Sequence, residues 1–232
     1  MRPVETIHVL DLFCGSKKPG SSTSITPPLL RSIRERFPTS GIHYVSIDAI
    51  LPSPRPEKTD SGIQAEHHQI SLNLIEPDVL RKQLKNCLGD RRFDEIHAVL
   101  EDTKQQTQGK SSDFFKVISD RLNPGGVFRY MSSASRTAFL DLPVQNFSVS
   151  NVSKEDAFER NYAHIQGNSG SAGLSLEEYG MRISYGWLLT MSKTTQGPML
   201  QREYGLHTDW PIFGCHFVIL RKKEDSGGTL SK

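Results

Sequence analysis

A chain of 232 residues, 36% hydrophobic and 23% charged, suits one globular domain and excludes global disorder. Its formal net charge of +2 is too small to name nucleic acid as a partner on charge alone. The three cysteines, Cys14, Cys87 and Cys215, are far apart, odd in number and without CxxC spacing, which argues against a disulfide framework or a zinc site.

The N-terminal stretch MRPVETIHVLDLF has no small-residue cleavage pattern, and no apolar run approaches the ~18 residues of a membrane span. A soluble, cytoplasmic protein is expected. IHVLDLF (7–13) reads as a short buried strand that ends near Gly15. TPPLLRSIRERF (26–37) reads as a helix, with Thr26 as cap, prolines in its first turn, and Leu29, Leu30, Ile33 and Phe37 at helical spacing. IHYVSIDAI (42–50) is a second buried strand. The proline-rich stretch from 51 to 65 reads as a surface loop with room for a hidden helix.

AEHHQISLNL (65–74) offers a weak third strand, and PDVLRKQLKNCL (77–88) a helix with Val79, Leu80, Leu84 and Leu88 on one face. FDEIHAVLE (93–101) is a fourth strand. SSDFFKVISDRL (111–122) is a helix stopped by NPGG, and GVFRYMSS (126–133) is a fifth strand. A helix near 153–165, a Gly/Ser-rich stretch QGNSGSAG (166–173) and a short helix SLEEYG (175–180) capped by Ser175 follow. MRISYGWLLTMS (181–192) and PIFGCHFVILRKK (211–223) read as late strands flanking a loop at 193–210.

Alternating strands and helices imply right-handed crossovers and a mainly parallel sheet covered on both faces. The expected domain spans 1–223, with 134–180 as a variable substrate-side region and 224–232 as a disordered tail. In such sheets, ligands bind beyond the carboxyl ends of the strands. Those ends carry Asp11 to Gly15, Asp48, Ser71 to Asn73, Glu101 and Asp102, and Ser132 and Ser133.

Taken together, VLDLFCG (9–15), YVSIDAI (44–50), FDEIHAVLEDT (93–103) and RLNPGGVFRY (121–130) resemble the motifs of the class I S-adenosylmethionine-dependent methyltransferases. The resemblance covers about residues 7–133 by motif and most of the chain by topology. It implies an α/β Rossmann-like three-layer sandwich, with a mainly parallel seven-stranded sheet and a C-terminal antiparallel hairpin. It implies S-adenosylmethionine as cofactor, held around Asp11, Phe13, Cys14, Gly15 and Ser16 after the first strand. Asp48 and Ala49 would serve the ribose, Ser71, Leu72 and Asn73 the adenine, and Glu101 and Asp102 the methionine portion and the substrate.

Physical chemistry agrees with these roles. A glycine at 15 lets a ligand approach the backbone, and a carboxylate at 48 can accept both ribose hydroxyls. Plainer readings stand beside them: Asp11 as a loop cap, Asp48 as a turn acid, Cys14 as a small buried filler and NPGG as a purely structural stop. The chain departs from the family pattern where glycines alternate after the acid, since Phe13 and Lys17 flank the one retained glycine, Gly15. Lys17 either pairs with the cofactor's carboxylate or is a solvated loop charge.

No catalytic residue is assigned, because methyl transfer from a sulfonium depends mostly on proximity and orientation. The fourth strand is followed by LEDT, which matches neither the Pro-Cys of cytosine-5 enzymes nor the Asn/Asp-Pro-Pro-aromatic of amino-nitrogen enzymes. A nicotinamide fold is disfavoured, since residues 13–18 read FCGSKK rather than G-x-G-x-x-G. The eight histidines show no metal-ligand spacing; His67 and His68 read as strand-edge residues and His97 as packed within its strand. His207 and Asp209 either face the substrate or are exposed loop polars. The expected function is methyl transfer to an unidentified acceptor, whether small molecule, protein or RNA. The alternative is an inactive methyltransferase-like binding or scaffold protein. No membrane and no metal partner is expected.

Overall fold

A computed structural model describes residues 5–12, 26–48, 57–59, 63–70, 76–100, 111–133, 154–185, 187–194 and 215–224. The strands are β1 (Thr6–Leu12), β2 (Gly41–Asp48), β3 (Glu57–Thr59), β4 (Ile63–Gln69), β5 (Phe93–Leu100), β6 (Leu122–Ser133), β7 (Leu174–Tyr185), β8 (Trp187–Thr194) and β9 (Cys215–Lys222). The helices are α1 (Thr26–Arg36), α2 (Pro77–Leu88), α3 (Ser111–Arg121) and α4 (Lys154–Ser171). All nine strands form one sheet in the order β3-β4-β2-β1-β5-β6-β9-β7-β8.

The five strands from β4 to β6 are mutually parallel. β9 inserts antiparallel between β6 and β7. The expected arrangement of seven strands with an antiparallel C-terminal hairpin is therefore present, and it is extended by one strand at either edge. β3 pairs antiparallel with β4, and β8 folds straight back on β7, with Tyr185 and Trp187 as register partners.

Period-two alternation splits the strands between two cores. Leu10, Leu12, Val45, Ile47, Ile96, Ala98, Phe128 and Tyr130 face α2, α3 and α4, which contribute Leu80, Leu84, Phe114, Ile118, Phe158 and Ile165. Ile7, Val9, Ile42, Tyr44, Ile63, Ala65 and Val127 lie on the other face with Ile33, Leu30 and Phe37, from α1 and its end. This gives three layers, helix–sheet–helix.

Local chemistry sets the boundaries. α2 starts at Pro77, carries Asp78 in its first turn and Lys85 in its last, and stops at Gly89, whose φ of 62° favours glycine. α3 ends where Lys222 of β9 donates to the carbonyls of Ser119 (2.9 Å) and Leu122 (3.0 Å), groups that a helix end otherwise leaves unsatisfied. NPGG is structural, as its plainer reading had it. Gly125 has φ 73°, and a Cβ on Gly126 would sit 2.8 Å from the carbonyl oxygen of Asn123 and 3.1 Å from that of Phe93. The opposite strand shifts register between Phe93 and Glu95. Asp94 there accepts from the His8 amide (2.8 Å) and from Asn123 Nδ2 (2.7 Å).

Four sequence expectations are corrected. MRISYGWLLTMS (181–192) is not one strand: β7 ends at Tyr185, and β8, from Trp187, pairs antiparallel with it. The 51–65 stretch contributes a short strand, β3, where a hidden helix was allowed. SLEEYG is not a helix but part of β7: Leu174 and Tyr179 bury against the core, and pairing with β9 outweighs local helix preference. The helix expected near 153–165 runs on through most of the Gly/Ser-rich stretch to Ser171, before Gly173 (φ 74°) ends it. Phe158 and Ile165 anchor that helix in the core. Ser169 and Ser171 donate to the carbonyls three residues back, which satisfies their hydroxyls within the helix.

A polar cluster also forms around Glu66 in the middle of β4. Arg91 donates two bonds to Glu66 (2.7 and 2.9 Å), and Glu66 also meets His68 and His43. His43 Nδ1 lies 3.3 Å from His8 Nδ1. The Arg91 hydrogen bonds hold the Glu66 carboxyl down at about 2. Burial lowers the His43 imidazole despite that carboxylate.

Candidate cofactor crevice

From β1 the chain builds outward through β2 to β4, then returns to β5 on the opposite side of β1. The strand order therefore reverses between β1 and β5, where open α/β sheets bind ligands beyond the carboxyl ends of the strands. The ends that border this crevice are Leu12, Asp48, Gln69, Leu100 and Ser133.

Asp11 is the penultimate residue of β1, in register with Ser46 of β2 and His97 of β5. Its carboxylate is buried and accepts a hydrogen bond from the Tyr44 hydroxyl. Asp48 closes β2, opposite Gln69 of β4. The structure thus brings the two sequence-predicted acids to adjacent strand ends at the switch point. Phe13, Cys14, Gly15, Ser16, Ala49, Ser71, Leu72, Asn73, Glu101 and Asp102 lie outside the described residues, as do Lys17, His207 and Asp209.

Beneath the crevice runs a feature that motif reading passed over. One register row across the sheet reads His67, Ser46, Asp11, His97, Arg129, Ile219 and Glu178. All but Ile219 are polar, although the row crosses the middle of a buried sheet. Ser46 and His67 share a hydrogen bond. One step closer to the amino ends, Glu95 receives Arg36 of α1 at 2.6 Å, His97 Nε2 at 2.9 Å and Arg129 at 3.1 Å. Arg36 also donates to Ser32 at 2.7 Å, which ties α1 to the sheet.

Burial opposes the Glu95 charge, but Arg129, His97 and Arg36 outweigh it and hold the carboxyl well below the usual range. Burial pushes the His97 imidazole down to about 4, against the pull of Glu95. His97 is therefore neutral near pH 7. A carboxylate can only accept, so Nε2 carries the proton and Nδ1 is the bare acceptor. That Nδ1 is buried and has no hydrogen-bond partner. A signal for the row exists in the sequence. FDEIHAVL places Glu95 and His97 two apart in a central strand, a polar stripe where both faces are covered.

Among the described residues, no three His, Cys, Asp or Glu side chains are arranged to hold a metal ion. No described helix is long and apolar enough to cross a membrane.

No protein-family model and no curated protein matches the chain. Among solved structures it is similar to a candidate hemolysin from Streptococcus thermophilus (12% identity, 95% of this chain and 60% of that one, TM-score 0.48). It is also similar to a point mutant of the 16S rRNA (adenine(1408)-N(1))-methyltransferase from Catenulisporales acidiphilia (9% identity, 95% and 87% of the two chains, TM-score 0.45). A third is the MycE methyltransferase of the mycinamycin biosynthetic pathway, in complex with Mg and SAH (13% identity, 97% and 48%, TM-score 0.43). The chain spans less than two thirds of the length of the first and third of these proteins. Strand order, strand directions and helix layers within this chain define an α/β, Rossmann-like fold.

Proposed function

We propose that the chain transfers a methyl group from S-adenosylmethionine to an acceptor that is a small molecule, a protein or an RNA. The observation that carries this reading is the pair of acids at the switch point, Asp11 one residue before the end of β1 and Asp48 ending β2, in a sheet whose last described strand is inserted antiparallel. The donor set fits the cofactor's chemistry: a carboxylate at Asp48 suits a diol, and the buried acceptors at Asp11 and His97 suit hydrogen-bond donors. When bound, the cofactor supplies an electrophilic methyl on a sulfonium. This chain's part is to hold and orient the two reactants and to exclude water. A base is needed only where the acceptor must lose a proton. The odd, scattered cysteines support a cytoplasmic setting.

Calorimetric titration with S-adenosylmethionine and S-adenosylhomocysteine tests this reading. Micromolar binding that Asp48→Ala weakens at least tenfold is expected. No heat and no thermal shift at millimolar ligand would overturn it and favour an inactive scaffold. Phe13 and Lys17, standing where the family has glycines, are the feature that favours that second reading.

A further inference from the structure

The polar cluster around Glu66 reaches two histidines near the amino ends of β1 and β2. His8 and His43 are register partners on these neighbouring parallel strands. Their Nδ1 atoms are 3.3 Å apart, while the ring centroids are 5.4 Å apart at an interplanar angle of 88°. Both nitrogens therefore lie between the rings, which approach through their nitrogen edges rather than by stacking.

Glu66 fixes the tautomer of His43. Its Oε2 lies 3.4 Å from His43 Nε2. A carboxylate only accepts, so Nε2 carries the proton and Nδ1 presents a lone pair towards His8. Glu66 is itself held by two bonds from Arg91, at 2.7 and 2.9 Å, and it also meets His68. Those contacts keep its oxygens occupied, so it orients the imidazole from behind. Metal-bound histidines are oriented in the same way, with the second ring nitrogen donating to a carboxylate. On the other side, Asp94 accepts from the His8 amide at 2.8 Å and brings a second carboxylate.

The spacing of the two nitrogens fits a shared ion. Two nitrogens bound to one tetrahedral zinc at about 2.0–2.1 Å stand about 3.3–3.4 Å apart. A hydrogen bond donated by nitrogen commonly spans about 2.7–3.2 Å, so the pair sits just beyond that range. Both histidines are part-buried, with 16% of the His43 side chain exposed, so an ion and its waters can reach them. Burial lowers the His43 imidazole, which favours the neutral, ligating form. The sequence shows no metal-ligand spacing here because the two residues are 35 positions apart, on different strands.

We propose that His8 Nδ1 and His43 Nδ1 together bind a divalent transition-metal ion of the zinc class, with waters completing its shell. Imidazole nitrogens suit zinc, nickel and copper, whereas magnesium and calcium prefer oxygen. With two protein ligands the site is open and exchangeable, unlike a closed four-ligand structural centre. The ion ties β1 to β2 about 13 Å along β1 from the strand end that borders the crevice. The inference is independent of the cofactor reading.

Zinc chloride titrated into the full chain tests it, by calorimetry and by thermal denaturation, with His8→Gln and His43→Gln alongside the wild type. The wild type is expected to bind zinc with micromolar affinity. It should melt about 5–10 °C higher at a zinc concentration a hundred times the dissociation constant. Each substitution is expected to weaken zinc at least tenfold and to remove most of the melting shift. Unchanged zinc affinity in either variant overturns the inference, as does a wild type that binds no zinc at millimolar concentration. If the variants fail to fold, nitrogen-15 resonance of the wild-type histidine rings decides. Zinc should then move the Nδ1 signals of His8 and His43, and shifts confined to other histidines overturn the inference.

Discussion

Glu95→Gln isolates the charge at the centre of the polar row. The substitution preserves shape and leaves an oxygen that accepts from His97 Nε2, but Arg36 at 2.6 Å and Arg129 at 3.1 Å lose the carboxylate between them. Side-chain exposure is only 4% at Glu95, 6% at Arg129 and 17% at Arg36, so water compensates little. Removing one partner of a buried ion pair costs about 3–5 kcal/mol, because the remaining charge is buried without compensation. For a chain of this size, 1 kcal/mol moves the melting temperature by about 2–4 °C, so a fall of roughly 6–20 °C is expected. Urea denaturation followed by circular dichroism measures the free energy directly, without the added ionic strength of guanidinium. Arg129→Gln combined with Glu95→Gln should cost less than the two single losses added together, since the two residues are in contact. A loss below about 1 kcal/mol for Glu95→Gln, the scale of an exposed pair, would refute the reasoning.

Gly126→Ala forces a Cβ against three backbone carbonyls, of Asn123, Phe93 and Asp94, none of which can rotate away. It should destabilise by about 1–3 kcal/mol, read as an earlier urea midpoint at unchanged slope. The acid response of the wild type follows from two groups. His97 has its folded value lowered to about 4 from 6.5, so its contribution is fully present above pH 6.5 and is lost as pH falls to about 4. The loss is on the order of 3 kcal/mol, and a urea midpoint that stays flat between pH 7 and 4 would sink this account. Glu66, lowered to about 2 from 4.5, adds stability present above pH 4.5 that is lost as pH falls through 2, so a second decline should follow the first.

Helices with a clear apolar face were legible. Leu80, Leu84 and Leu88 recur at helical spacing and are the residues that α2 buries. β5 was legible for a similar reason, since a short apolar run between turn signals has few alternatives. The errors share a cause. In SLEEYG and QGNSGSAG the local residue preferences point one way and the packing partners, Tyr179 against Phe158, decide the other. The positions of Asp11 and Asp48 near the ends of their strands were legible, because an acid late in a short apolar run stands out. The Glu95, His97 and Arg129 cluster was not, because Arg129 of β6 and Arg36 of α1 come from distant segments to join the pair on β5. FDEIHAVL shows the polar stripe of Glu95 and His97, but no spacing in the sequence records that Arg36 and Arg129 converge on it.

The position of β9 has a consequence for biosynthesis. The last of the described strands, Cys215–Lys222, lies inside the sheet and joins β6 to β7 along both edges. Until it has left the ribosome, β6 presents an open edge, and the β7–β8 hairpin has nothing to dock on. Lys222 is also missing from the end of α3 during that interval. The sheet can thus close only after translation has passed residue 222, by pairings of high sequence separation that form slowly. A chain arrested before Cys215 would carry two unpaired strand edges, the form of nascent protein most exposed to aggregation and most in need of a chaperone.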